Sequence, residues 1–107
     1  MITFTALDAQ NRMRADQPVI LVVTRRRTPA SDDAVRFVTA AARHHEVEAV
    51  ALDADDSANK ALLDELRVQF VPEVFVVQRG VVLERAFAHD ANDARDLVAA
   101  ALRRPRG

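Results

Sequence analysis

The run Val19-Ile-Leu-Val-Val23 constrains this chain more than any other segment. Consecutive branched apolar residues leave no polar face. As a strand the run must be covered on both sides, as in the middle of a largely parallel sheet. Pro18 closes the segment before it. Thr28-Pro29 opens the next one, where Ala34, Val35, Val38, Ala41, Ala42 and His45 recur at helical spacing, predicting a helix that runs to about His45 with one buried stripe. A second apolar strand is predicted over residues 47–52, ending at Asp53-Ala-Asp55. A helix follows over residues 58–67, with Ala61, Leu62, Leu66 and Leu63 facing inward.

Residues 74–77 and 81–83 flank Gln78-Arg79-Gly80, a tight hairpin turn in which Gly supplies the backbone angle, and the second strand has room to extend to Phe87. At the front, residues 2–4 suit a short edge strand, and Thr5 suits the cap of a helix that puts Ala6, Ala9 and Met13 on one face. At the back, Asp90 caps a last helix whose Ala94, Leu97, Val98, Ala101 and Leu102 form an apolar stripe ending before Pro105. The order β-α-β-α-β-α-β-β-α implies parallel pairings joined by right-handed crossovers, with antiparallel strands added by the terminal hairpin.

Composition narrows the chemistry. The chain has 107 residues, a length that makes one domain (1–107) the expectation. It has no cysteine, so a thiol nucleophile, a disulfide, a Cys-ligated zinc and an iron–sulfur cluster are all excluded within these residues. Fifteen basic against sixteen acidic residues give a net charge of −1, too balanced to gather nucleic acid or an anionic membrane. Lys60 is the one lysine and the remaining basic residues are arginine. The longest apolar runs fall far short of the ~20 residues a membrane span needs, and no basic-then-apolar leader is visible. A cytoplasmic domain without membrane or nucleic-acid partners is the expectation.

Several local patterns resemble thioredoxin over nearly the whole chain. Gln17-Pro-Val-Ile-Leu-Val-Val23 resembles the family's Pro-Val-Leu-Val-Asp-Phe strand, and Leu52-Asp-Ala-Asp55 stands where the family has its Asp-containing strand end. Arg67-Val-Gln-Phe-Val-Pro-Glu-Val-Phe-Val-Val-Gln-Arg-Gly80 resembles the family's cis-proline region with its hairpin. This is the most specific of the matches, because Val71-Pro72 directly precedes a strand, where proline is otherwise avoided. The resemblance implies an α/β fold of the thioredoxin-like type: a three-layer α/β/α sandwich with a mixed five-stranded central sheet, four helices and a cis bond before Pro72. It also places Thr28-Pro-Ala-Ser31 where Cys-Gly-Pro-Cys would stand, Val22 at the family's buried carboxylate, and Arg27 at its tryptophan. Hydroxyls form no stable O–O bridge, so disulfide exchange cannot run on this motif.

Each candidate site has a structural reading beside a functional one. The hydroxyls of Thr28 and Ser31, with the free N–H groups of the helix start, can hold a small ligand. As a cap, Thr28 takes the N-cap and Pro29 the first helical position, while Asp32 and Asp33 complement the dipole; this reading accounts for every residue there and is preferred. No Gly-x-Ser-x-Gly elbow accompanies Ser31, so no catalytic serine is assigned.

Arg25-Arg26-Arg27 suits a phosphate, a carboxylate or an acidic peptide beside a helix start. As a solvated loop neutralised by Asp32, Asp33 and Glu73 it needs no ligand, and that reading is preferred. Val71 and Pro72 are a third site: in thioredoxin relatives the backbone before the cis-proline pairs with an extended peptide, and the alternative is a turn kept for folding. Phe70 and Phe75 flank it as an apolar rim, with Phe75 equally suited to the core. His44, His45 and His89 lack metal-ligand spacing, and the Asp53, Asp55, Asp56 group lacks the Gly and distal Glu of a calcium loop, so no metal and no cofactor is expected.

The function expected is non-catalytic: an adaptor or specialised chaperone that binds a protein or an extended peptide. The alternatives are a small-anion or glutathione-like thiol ligand at Thr28, Ser31 and Arg25-Arg26-Arg27, and a glutathione-handling enzyme, the last disfavoured by the missing all-helical second domain. A homodimer through strand edges is permitted.

Overall fold

The computed structural model describes residues 2–3, 11, 14–25, 28–86, 96 and 99. Its elements in chain order are β1 (Ile2–Thr3), β2 (Val19–Thr24), α1 (Pro29–His45), β3 (Glu48–Asp53), a 3-10 turn (Ser57–Asn59), α2 (Lys60–Glu65), β4 (Glu73–Gln78) and β5 (Val81–Ala86). The sheet runs β1-β3-β2-β4-β5. β1 and β2 lie parallel to β3, and β4 lies antiparallel to both β2 and β5. Of the expected helices after Thr5 and from Asp90, only Asn11, Asp96 and Ala99 are described, all three helical; the rest of both, and Phe87 at the end of the hairpin, lie outside the described residues.

The apolar run at residues 19–23 sits at the centre of this sheet, where both its faces are covered. Ile20 and Val22 join Val74 and Val76 under Ala34, Val38, Ala41 and Ala42 of α1. On the opposite face Val19, Leu21 and Val23 join Phe75 and Val77 under Leu62 and Leu66. A strand with alternate residues feeding two cores needs apolar side chains at every position, which explains the unbroken run. The described helices therefore flank the sheet on both faces.

The local departures from the sequence expectations have identifiable causes. β3 starts at Glu48 rather than residue 47 because Val47 still belongs to the end of α1: its N–H donates to Ala42 O at 3.0 Å while Glu46 N–H donates to Arg43 O. The helix expected over residues 58–67 is divided. The Asp56 carboxylate accepts from Ala58 N–H and starts a 3-10 turn, and α2 proper begins at Lys60. In so short a helix only Leu62 and Leu66, four residues apart, share the buried line; Ala61, about 100° round from Leu62, faces solvent.

Both helices end in the same way. After α2, Arg67 N–H donates to Asp64 O and Val68 N–H donates to Leu63 O, with Arg67 at φ 55°; after α1 the matching residue is Glu46, also at φ 55°. These are left-handed cap positions normally given to glycine, and the chain has only two glycines. One of them, Gly80 (φ 76°), follows Arg79 (φ 53°) in the β4–β5 hairpin, where two successive left-handed residues match the strand twist. Arg67→Gly is therefore expected to stabilise the fold. Removing a left-handed side-chain penalty of about 1–2 kcal/mol outweighs the extra chain entropy of glycine by roughly 0.5–1 kcal/mol. The measurement is a melting curve, in which the midpoint should rise by roughly 3–6 °C.

The hairpin is anchored at its turn: Arg79 N–H donates to Ala15 O at 3.0 Å, and Gln78 Nε2 donates to Asp16 O at 2.6 Å. The ladder between β4 and β5 shifts register at Val76/Val77, so β5 carries a bulge between Val82 and Glu84. Among the described residues, no helix is long and apolar enough to cross a membrane.

Candidate functional site

The carboxyl ends of β2 and β3, the start of α1 and the segment entering β4 converge at one end of the sheet. Thr28 ends the loop after β2 in an extended conformation (φ −114°, ψ 127°), which is the N-cap geometry, and Pro29 opens α1. The expected side-chain cap is not formed. Thr28 Oγ1 instead donates to Arg25 O at 2.9 Å, while its carbonyl accepts from Asp32 N–H at 3.2 Å. Ser31, only 2% exposed, accepts from Arg25 N–H at 2.9 Å through its Oγ. The two hydroxyls thus hold both main-chain groups of Arg25 and close the loop on itself. Arg25, just past the end of the buried strand, needs such partners because its main-chain groups have none in either element.

The neutralisation of Arg25 also differs from the expectation. Its guanidinium lies 3.5 Å from Asp55, in the turn after β3. Asp33 pairs along the helix with Arg36, and Glu73 is taken by Arg85. Arg26 and Arg27 lie outside the described residues. Asp55 reaches Arg25 because its own loop is fixed: Ala54 N–H donates to Thr24 O at 2.7 Å, Asp55 N–H donates to the Asp53 carboxylate, and Asn59 Nδ2 donates to Asp53 O.

Val22, at the position matched to the family's buried carboxylate, is fully buried against the α1 side of the sheet. The Val71–Pro72 bond is cis. Val71 packs its side chain against the second core cluster, and its main chain takes no hydrogen bond among the described residues. Beside it Phe70 is 65% exposed, whereas Phe75 is wholly buried in the core. The site thus presents an exposed aromatic side chain next to the Val71 main chain. Among the described residues no group of three or more His, Asp or Glu side chains is placed to hold a metal. His45 ends the buried stripe of α1 half-buried, packed edge-to-face with His44 at 4.9 Å between ring centroids.

One pair was not legible in the sequence. Glu73, immediately after Pro72, is 3% exposed. Arg85 of β5 donates to its Oε2 through Nε at 3.1 Å and through Nη2 at 2.8 Å, leaving Oε1 buried without a partner. The same guanidinium donates to Leu66 O and Arg67 O at 3.0 Å each, and lies 4.9 Å from the centre of the Phe75 ring. In sequence Arg85 reads as an ordinary charge on a hairpin strand and Glu73 as a partner for Arg25-Arg26-Arg27. The only available signal was their parity, since Arg85 stands opposite Phe75, two residues from Glu73 on the same face.

Comparison with known proteins agrees with this geometry. No family model and no curated protein sequence matches the chain. Solved structures do. Thioredoxin from Trypanosoma brucei brucei superposes with a TM-score of 0.81 at 16% identity, over 97% of this chain and 92% of that one. Thioredoxin f from spinach chloroplast (long form) gives 0.80 at 18% identity, over 94% and 84%. Thioredoxin f2 from Chlamydomonas reinhardtii gives 0.81 at 10% identity, over 98% and 99%. The chain has the thioredoxin-like fold, and it carries that fold without a cysteine.

Proposed function

We propose that this cysteine-free, thioredoxin-like chain is a non-catalytic module that docks an extended peptide or protein segment along Phe70 and Val71. Without a cysteine its own residues cannot form the mixed disulfide through which thiol exchange proceeds. What supports docking is the exposed Phe70 ring beside the Val71 main chain, whose N–H and C=O are not engaged by the described fold. A strand-like peptide would take those groups by backbone pairing, and the ring would supply an aromatic anchor. Arg25, at the same end of the sheet and paired with Asp55, and Arg26 and Arg27, next to it in sequence, are the cations proposed to meet an acidic partner. A cytoplasmic setting belongs to the same reading.

The small-ligand alternative has less support. The Thr28 and Ser31 hydroxyls, which would have to receive an anion or a thiol, are hydrogen-bonded to the Arg25 main chain, and Arg25 itself has Asp55.

Panning a random peptide library on the immobilised protein tests the proposal. Selected peptides should bind Phe70→Ser at least ~10-fold more weakly than the parent, the loss expected for an interface aromatic. The Phe70 ring is 65% exposed, and the melting midpoint of Phe70→Ser serves as the control for any effect on the fold. Failure to select any peptide, or equal binding by Phe70→Ser, overturns the docking reading. A parallel melting series with glutathione and inorganic phosphate should show no shift; a dose-dependent rise would favour the small-ligand alternative.

A further inference from the structure

We infer that Arg85 is a positioning residue for the docking loop, tying both ends of residues 66–73 so that Phe70 and Val71 are presented in one shape. This inference rests on the peptide-docking reading above. The loop leaves α2 at Leu66 and Arg67, whose carbonyls accept from Arg85 Nη1 and Nη2. It re-enters the sheet at Glu73, whose Oε2 accepts from Arg85 Nε and Nη2. One guanidinium on the neighbouring strand therefore fixes the exit and the entry of the loop together.

The fixed point is rigid. Arg85 stands opposite Phe75 in the β4–β5 ladder, and its guanidinium lies over the buried Phe75 ring at 4.9 Å from the centroid. Between the two tied ends lie only residues 68–72, of which Val68 and Val71 are also held by packing on the core. Phe70, 65% exposed, lies within this short span. Tying the ends removes conformers that a docked peptide would otherwise have to select against, so recognition gains from a loop ordered in advance.

The chemistry requires arginine. A planar fork with five donors can serve two carbonyls and a carboxylate at once. An ammonium is a compact charge on a flexible stem and cannot span them in fixed geometry. Arg85→Lys therefore keeps the charge opposite Glu73 while removing the tie, and it separates positioning from simple neutralisation. A Glu73→Met/Arg85→Met double variant removes the tie without leaving a buried charge, which guards against loss of folding.

Amide hydrogen exchange is the first measurement. In Arg85→Lys and in the double variant, the hydrogen-bonded amides of Arg67 and Val68 should exchange at least ~10-fold faster than in the parent, while those of β2 change by less than about twofold. Loop exchange unchanged in both variants, or loop and β2 amides accelerated together, overturns the inference. The second measurement is the affinity of a peptide selected on the parent, taken well below the melting midpoint of every variant. It should fall at least ~5-fold in Arg85→Lys, and an unchanged affinity overturns the positioning role. If the parent selects no peptide, the docking reading falls and the recognition role of Arg85 falls with it. The exchange measurement then still decides whether Arg85 holds the loop.

Discussion

Arg85→Met is expected to lower the stability of the folded chain by about 2–4 kcal/mol, a loss expected to move the melting midpoint by roughly 10 °C or more. The reasoning starts from Glu73. Its carboxylate is 3% exposed and already has one oxygen without a partner. Removing one member of a buried ion pair typically costs ~3–5 kcal/mol, because the remaining charge keeps its desolvation penalty and loses its compensation. The carbonyls of Leu66 and Arg67 lose their donors in the same step, at about 1 kcal/mol each if water does not replace them. Water moderates both effects, since the Arg85 side chain is 40% exposed and solvent reaches the gap. This places the expectation below the simple sum.

The double variant Glu73→Met/Arg85→Met should recover most of the loss, since apolar replacement of both members of a buried pair is often neutral or stabilising. Urea denaturation of the two single variants and the double variant measures this directly. A loss below ~0.5 kcal/mol in Arg85→Met, or no recovery in the double variant, would contradict the account.

The other large effect is a gain. Thr28→Cys with Ser31→Cys is expected to change insulin reduction from nil to measurable, since no thiol exists in the parent chain. Position 28 holds the extended N-cap conformation and position 31 the first turn of a 17-residue helix. A thiol at the helix start is acidified by the helix dipole, and a Cys-x-x-Cys pair there commonly titrates well below the free value of about 8.5. Alkylation of the residue-28 thiol at neutral pH should accordingly run several-fold faster than that of a cysteine in an unfolded peptide.

Turnover should nonetheless be slow. Val22 offers no proton acceptor beneath the motif, and a sulfur at position 31 is a poorer acceptor for the Arg25 N–H than the serine oxygen it replaces. Alkylation no faster than in the unfolded peptide, with no insulin reduction, would show that this loop no longer has the geometry its fold relatives suggest.

What could be seen in the amino-acid order, and what could not, follows from the range over which each interaction acts. Val19-Ile-Leu-Val-Val23 announces a doubly covered strand because burial acts on every residue of it. The stripe from Ala34 to His45 marks α1 nearly to the residue because one face of a long helix repeats the same signal many times. Gly80 marks its turn because glycine takes a left-handed angle without a side-chain penalty, whereas Arg79, also left-handed, gives no such sign. α2 is one short segment whose phase rests on Leu62 and Leu63 with Leu66 at its end, too few positions to show that Ala61 faces solvent.

The loop after β2 was misjudged for a different reason. Thr28 and Ser31 are favoured cap residues, and nothing local reveals that their hydroxyls turn back to the Arg25 main chain. The partner of Arg25 proved to be Asp55, thirty positions away, and Arg85 reaches Glu73 from another strand. Such pairings depend on which strands become neighbours, and single charges carry no trace of that.

The irregularity in β5 sets how this molecule behaves when it is concentrated. A regular border strand offers its open amides and carbonyls as a template for the next chain, and stacking of that kind seeds insoluble fibres. Here the kink between Val82 and Glu84 interrupts that template midway, and Glu84 and Arg85 put charge on its far half. A second strand laid along this flank would lose register at the bulge, which disfavours extension of the ladder there.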